Sequence, residues 1–147
     1  MSYTVIGLDC KLYYNSATWA SPTWVEIDIA MDVKIALADS EGEVLTRESI
    51  WKLFLKGGRE LALEWDMLAD HEHGAYTALR DAFLDRTTIE LLALDGASGV
   101  ADNEGPRADF HIFTFERTES REDAATLAMS AKPTRTANTP VWYTTTA

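Results

Sequence analysis

Polar and apolar residues alternate with a period of two along much of this chain. Leu8, Cys10, Leu12 and Tyr14 alternate with Asp9, Lys11 and Tyr13. Strand side chains point to opposite faces in turn, so the pattern predicts a half-buried strand. Residues 15–22 carry Ser, Thr and Pro around Trp19 and read as a turn-rich loop. Alternation resumes with Val25, Ile27 and Ile29 against Trp24, Glu26 and Asp28, and again with Val33, Ile35 and Leu37. The acidic stretch 38–47, holding Asp39, Glu41 and Glu43, predicts a loop of about ten residues. Residues 50–55 predict a strand, Lys56-Gly57-Gly58-Arg59 a turn, and Leu61, Leu63 and Trp65 a returning strand. Together they read as a hairpin.

The period changes near Asp70. Tyr76, Leu79 and Phe83 recur at helical spacing beside Ala75, Ala78 and Ala82, predicting an amphipathic helix of about three turns. Asp70 or a neighbour is expected to cap it, with Glu72 near the positive end of the dipole and Arg80 and Arg86 near the other. Thr87 and Thr88 help to stop it. Residues 89–94 are apolar except Glu90 and predict an interior strand. Residues 95–106, with Gly96, Gly99, Gly105 and Pro106, read as a second long loop. Residues 107–119 predict a long strand with Phe113 and Phe115 on one face and Phe110 and Ile112 on the other. Leu127, Met129 and Ala131 mark the last strand, closed by Lys132-Pro133-Thr134, and an extended Thr-rich tail follows from about residue 133. About seven or eight strands and one helix, without a βαβ rhythm, predict one mainly β domain over residues 1–147. The expected architecture is a sandwich or partly closed barrel of two antiparallel sheets with a flanking helix.

Composition narrows the functions. For 147 residues and 16.4 kDa, surface scaling gives a folded area of roughly 7,500 Å² against about 24,000 Å² unfolded, enough for a core without disulfides or metal. The formal net charge is −11, from 24 acidic and 13 basic residues. Such a surface repels nucleic acid and anionic membranes, which excludes a module that grips DNA but suits a passage through which DNA slides. Cys10 is the single cysteine, so no intramolecular disulfide forms, and it reads as a small buried hydrophobe. The N-terminal residues lack the basic and apolar regions of a secretory signal, and no apolar stretch approaches a membrane span. A protein made and kept soluble in a cytoplasm is expected.

Candidate chemistry is sparse. The sequence holds no phosphate-binding glycine loop and no nucleophile elbow. Asp70-His71-Glu72-His73 is the best metal candidate, but two histidines at this spacing converge only if the backbone bends, and a solvated helix start explains them equally. His111, within a strand, reads as a surface or hydrogen-bonded residue. No catalytic residue, cofactor or metal is expected. The acids between 60 and 72 read as a solvated face or a charged wall, with Glu60, Glu64 and Asp66 the residues that share one face. Lys52, Lys56 and Arg59 read as a soluble hairpin tip, or as a basic complement to Asp39, Glu41 and Glu43 on a neighbouring copy, a head-to-tail contact of the type that builds rings. Among five tryptophans, Trp19, Trp24 and Trp142 fall in or near loops. Trp142 and Tyr143 are candidates for a contact made by the tail.

The run Gly7-Leu8-Asp9-Cys10-Lys11-Leu12-Tyr13-Tyr14, followed by Ser21-Pro22-Thr23-Trp24-Val25-Glu26-Ile27, resembles phage tail tube proteins. The likeness continues through Asp32-Val33, residues 46–51, Leu79-Arg80-Asp81-Ala82-Phe83, Ile89-Glu90-Leu91, Asp95-Gly96, residues 105–110, Lys132-Pro133-Thr134 and Pro140-Val141-Trp142. It covers residues 5–143, and order and spacing carry it more than any single motif. The resemblance implies two packed antiparallel sheets with a flanking helix, and hexameric rings stacked around a channel for DNA. It implies a structural virion protein of the phage tail with itself as chief partner, alongside initiator or baseplate and terminator proteins. DNA would transit the lumen without specific binding, and no membrane is involved. On this reading Glu60, Glu64 and Asp66 face the lumen, and the loop bearing Asp39, Glu41, Glu43 and Arg47 reaches an adjacent ring. The alternatives are a monomeric ligand-binding β-barrel and a tube subunit of a phage-derived injection or secretion system.

Overall fold

Alternation holds wherever one face of a strand is buried and the other wet. In the computed structural model, residues 10–47, 50–70, 72–119, 121 and 124–146 are described. The strands are β1 (Lys11–Asn15), β2 (Trp24–Glu26), β3 (Ala30–Val44) and β4 (Leu53–Leu68), then, after helix α1 (Gly74–Leu84), β5 (Ile89–Leu94), β6 (Glu104–Thr118), β7 (Thr126–Pro133) and β8 (Val141–Thr144). All pairings are antiparallel, in the order β2-β1-β5-β6-β7-β4-β3, with β8 on β6.

The ladder curls. Leu12 of β1 and Ile27 share one core with Leu63 and Met67 of β4, although three strands separate β1 from β4 in the order. The Leu68 amide donates to the Ile29 carbonyl at 3.2 Å, which extends the β3–β4 ladder one step beyond the Ala30–Met67 pair. The result is the mainly β, partly closed architecture with one flanking helix that the pattern predicts. Leu91, Phe110, Leu127 and Met129 fill its interior. Helix α1 buries Ala75, Tyr76, Leu79 and Ala82 against this core. Tyr76 and Phe83 lie 6.2 and 5.6 Å from the Phe115 ring. Tyr13, Leu92 and Leu94 point to the other face of β1 and β5 and form a second small cluster with Trp24 and Tyr143.

The helix begins one turn later than Asp70. His73 is the N-cap: its Nδ1 accepts from the Ala75 amide at 3.1 Å, and its Nε2 lies 2.5 Å from Asp28 Oδ1. An accepting Nδ1 leaves the ring proton on Nε2, which therefore donates to Asp28. The helix ends as Thr87 donates back to the Ala82 carbonyl, with Arg86 in the left-handed region (φ 58°), a position usually held by glycine.

Several expectations are corrected. Residues 38–44 are not loop but the outer half of β3, and Lys56-Gly57-Gly58-Arg59 is not a turn but lies inside β4. β3 ends at Val44 and β4 begins at Leu53, so the hairpin runs far beyond the core. A bulge between Asp39 and Glu41 sets Ser40 over Gly57, where any Cβ would lie 2.3 Å from Ser40 Oγ. Only the rotatable Ser40 hydroxyl stands that close, so Gly57 is a strand residue that no backbone contact demands. Phe113 and Phe115 do not share a face. The register shift between Ile112 and Thr114 pushes Phe113 outward and returns Phe115 to the core beside Phe110 and Ile112. Cys10 is exposed, because β1 begins only at Lys11. The C-terminal tail is not simply extended, since β8 pairs with β6 in the register Gly105–Tyr143 and Pro106–Trp142. The second predicted loop is also shorter, since β6 starts at Glu104.

Candidate functional site

The face of the sheet away from α1 carries the acids. On β4, Leu63, Trp65 and Met67 enter the core, so Glu60, Glu64 and Asp66 point to the opposite, exposed side. Glu64 stands between Lys34 of β3 and Ser130 of β7, and Asp66 beside Ala128. Asp32, Lys34, Glu64, Asp66, Thr114 and Ser130 line a shallow concavity of about 390 Å³ there. Glu64 and Asp66 thus share a wet wall of small and polar residues, whereas Glu60, on the same exposed face of β4, lines a separate groove with Leu61 and Trp142. The wall's chemistry is that of a repulsive surface toward anions.

The hairpin carries the second set. Asp39, Glu41 and Glu43 lie on β3, and Arg47 lies in the connection. The acids and bases read as complementary pair within one chain. Arg59 Nε donates to Asp39 Oδ1 at 2.9 Å, Lys56 Nζ lies 3.1 Å from Asp39 Oδ2, and Lys52 Nζ lies 3.7 Å from Glu43. Register explains this: Asp39 faces Arg59 and Glu41 faces Lys56 across the two strands. Hydrogen bonds from Arg59, then from Lys56, hold the Asp39 carboxyl below its ordinary 3.8. A depressed carboxylate contributes stability above its unfolded pKa and loses it as pH falls through the folded value. The pairing is therefore expected to persist at neutral pH and to loosen only below pH 3.8. An NMR titration of the Asp39 carboxyl checks this, with Arg59→Gln moving its midpoint upward.

Of the tail pair, Tyr143 docks within the chain and Trp142 does not. Tyr143 packs edge-on against Trp24 at 6.1 Å, while Trp142 stays 54% exposed. Tyr143 and Trp24 flank a group that sequence reasoning missed. Arg107 of β6 is buried, with Nε 2.8 Å from Glu90 Oε2 and Nη2 2.6 Å from the Trp19 carbonyl. Its guanidinium lies 4.0 Å from the Trp19 ring centre, 5.0 Å from Trp24 and 5.4 Å from Tyr143. One cation thus ties the β1–β2 loop, β5, β6 and β8 together. The lone acid in an otherwise apolar strand, Glu90, was the available signal, because a buried carboxylate demands a partner.

Of the metal candidate, His71 lies outside the described residues and His73 is engaged as the helix cap. His111 is half-buried and edge-on to Phe113 at 6.4 Å. Among the described residues, no group of three metal-ligating side chains converges, and no helix is long and apolar enough to cross a membrane.

No family model and no curated protein matches the sequence. Solved structures do match. A chain in the tail of an empty GTA particle with C6 symmetry superposes with a TM-score of 0.74 at 15% identity, covering 94% of this chain and 98% of that one. A chain of the SPP1 tail tube gives 0.71 at 15% identity, over 88% of this chain and 75% of its own. A chain of the sheath/tube terminator of PVC, an extracellular contractile injection system, gives 0.68 at 6% identity, over 97% and 98%. The coverage takes in nearly the whole sheet, and the chain has the fold of phage-type tail tube proteins.

Proposed function

We propose that the chain is a structural subunit of a phage-type tail tube, assembled as stacked hexameric rings around a channel that DNA crosses during ejection. The observation that carries this reading is the surface left uncovered. The accessible area is 10151 Å², against roughly 7,500 Å² expected for a compact monomer of this mass. Much of the uncovered surface is apolar and lies on β3 and the hairpin, where Val33, Ile35, Leu37, Phe54 and Leu55 are exposed on an unpaired edge. An edge strand of this length invites pairing with another chain. Ring closure would cover it and satisfy its free backbone groups.

In this arrangement Glu60, Glu64 and Asp66 face the lumen and keep DNA from adhering. Screening over about 8 Å confines their action to charges near the wall. The hairpin bearing Asp39, Glu41, Glu43 and Arg47 reaches an adjacent subunit. The partners are further copies, an initiator or baseplate and a terminator, and the place is the virion tail, after synthesis in the host bacterial cytoplasm. The role is structural, without catalysis or cofactor. The same reading serves a tube in a phage-derived injection system, where the cargo differs. A monomeric ligand-binding barrel is less well supported, because Leu63, Leu91, Phe110 and Leu127 fill the interior where a ligand would sit.

Replacing Glu60 and Glu64 by Gln and Asp66 by Asn tests the lumen assignment. All three are exposed, so folding and tube assembly are expected to survive while DNA ejection slows. Unchanged ejection from tails of normal length contradicts the assignment.

A further inference from the structure

The chain beyond β7 is fastened to β6 and to the loop before it. The Thr134 amide donates to the Asp109 carbonyl at 3.0 Å, and the Asp109 carboxylate accepts from Thr136 Oγ1 at 2.8 Å and from Asn138 Nδ2 at 3.1 Å. β8 then pairs with residues 104–107. Just past β8, Thr145 plugs into loop 95–103. Its amide donates to the Asn103 carbonyl at 2.8 Å, and its carbonyl accepts from the Asp102 amide at 3.0 Å. Its hydroxyl accepts from the Asn103 amide at 3.0 Å and donates to the Val100 carbonyl. Thr145 is 3% exposed between the exposed Thr144 and Thr146. Asp102 holds a φ of 69°, a left-handed conformation uncommon outside glycine, and the Thr145 carbonyl takes up its amide there.

We infer that residues 141–145 form a strap: docked, they set the shape of loop 95–103; released, they free that loop and the aromatic cover of Arg107 together, while the core stays folded. Little apolar area holds the strap down. Val141, Trp142 and Thr144 are exposed, and among the described residues none beyond Ala131 belongs to the main core. What holds it is the β8 ladder, the Thr145 pins and Tyr143, which lies against Trp24 and 5.4 Å from the Arg107 guanidinium. Segments with few buried apolar contacts open well below the cost of global unfolding. The loop has ties of its own, from Asn103 Nδ2 to the Ala97 carbonyl at 2.8 Å and from the Ser98 amide to the Tyr13 hydroxyl at 3.1 Å. The Asp102 and Asn103 amides, however, are met by Thr145. The loop presents Val100, 57% exposed, so the strap governs how an exposed apolar residue is displayed. The device lies within one chain and acts whether or not copies assemble.

Hydrogen exchange followed by NMR on the full chain tests this. Thr145→Val keeps the shape of the side chain and removes its hydroxyl, so the Asn103 amide loses its acceptor and is expected to exchange at least about tenfold faster. The Asp102 amide and the Arg107 Nε–H are expected to follow, with the α1 amides unchanged. Thr145→Ser restores the hydroxyl and is expected to return all three to within about twofold of the native rates. Tyr143→Ala releases the strap from its other end and is expected to speed the Asp102 and Asn103 amides as well. Unchanged Asn103 exchange in Thr145→Val overturns the inference. So does an Arg107 Nε–H unmoved in Thr145→Val, or a loop unmoved in Tyr143→Ala, because loop and cover then open separately. Equal acceleration in α1 overturns it too, since the whole fold then opens rather than a strap.

Discussion

Arg107→Ala is expected to cost about 3–5 kcal/mol, because it strands a buried carboxylate. Glu90 is buried between β1 and β6, with Arg107 at 2.8 Å on one oxygen and the Asn15 amide at 3.0 Å on the other. Removing the guanidinium leaves Asn15 alone against a full charge. It also withdraws the plate on which Trp19, Trp24 and Tyr143 stack, so the β1–β2 loop and β8 loosen together. For a domain of this size each kcal/mol moves the melting temperature by about 2–4 °C, so a fall on the order of 10 °C is expected in thermal denaturation. Pairing Arg107→Met with Glu90→Gln removes both charges and is expected to recover a large part of the loss. A fall below about 1 kcal/mol for Arg107→Ala would mean that the cage carries little stability.

Gly105→Ala is expected to cost about 3 kcal/mol, at the upper end of what overpacking does. Gly105 lies in β6 opposite Tyr143, and a Cβ there would sit 1.5 Å from the Ala93 carbonyl oxygen and 2.7 Å from its carbon. Those are backbone atoms of β5, so no side-chain rotation relieves the clash. Either β5 and β6 separate, or β8 leaves its place. Urea denaturation measures the loss, and hydrogen exchange of the Tyr143 and Thr145 amides reports whether β8 frees first. At Gly58, by contrast, an added Cβ would meet nothing within 4 Å, so its replacement by alanine is the matched control.

What the sequence discloses follows from where burial makes a pattern. Leu63, Trp65 and Met67 against Glu64 and Asp66 read correctly because one side of β4 meets the core and the other meets water. The helix reads correctly because Ala75, Leu79 and Ala82 fall on one stripe. The outer hairpin fails this test. Beyond Asp39 and Arg59 neither face is covered, so no alternation exists to be read, and the acids suggest a loop. The pair Gly57-Gly58 reinforces that error, since two adjacent glycines read as a turn although both lie within β4. The displaced face of Phe115 has the same origin, as a one-residue bulge inverts every side chain after it. Strand β8 is short and Thr-rich, and its identity as a strand comes only from its partner β6. Of the candidate site, the three acids were legible as sharing one exposed face of β4. The Arg107 cage was not, because its members, Trp19, Glu90 and Tyr143, are distant in the chain. The basic residues 52–59 were recognised as complementary to the acidic ones, but same-chain register, invisible while 38–44 read as a loop, is what brings them together.

The most direct test of the tube account is negative-stain electron microscopy of the purified protein at high concentration, with light scattering for mass. Rings or tubes of uniform width are the predicted result, with a scattering mass many times 16.4 kDa. A strict monomer under all conditions, even with tail initiator proteins added, would contradict the account and return the ligand-binding barrel to first place.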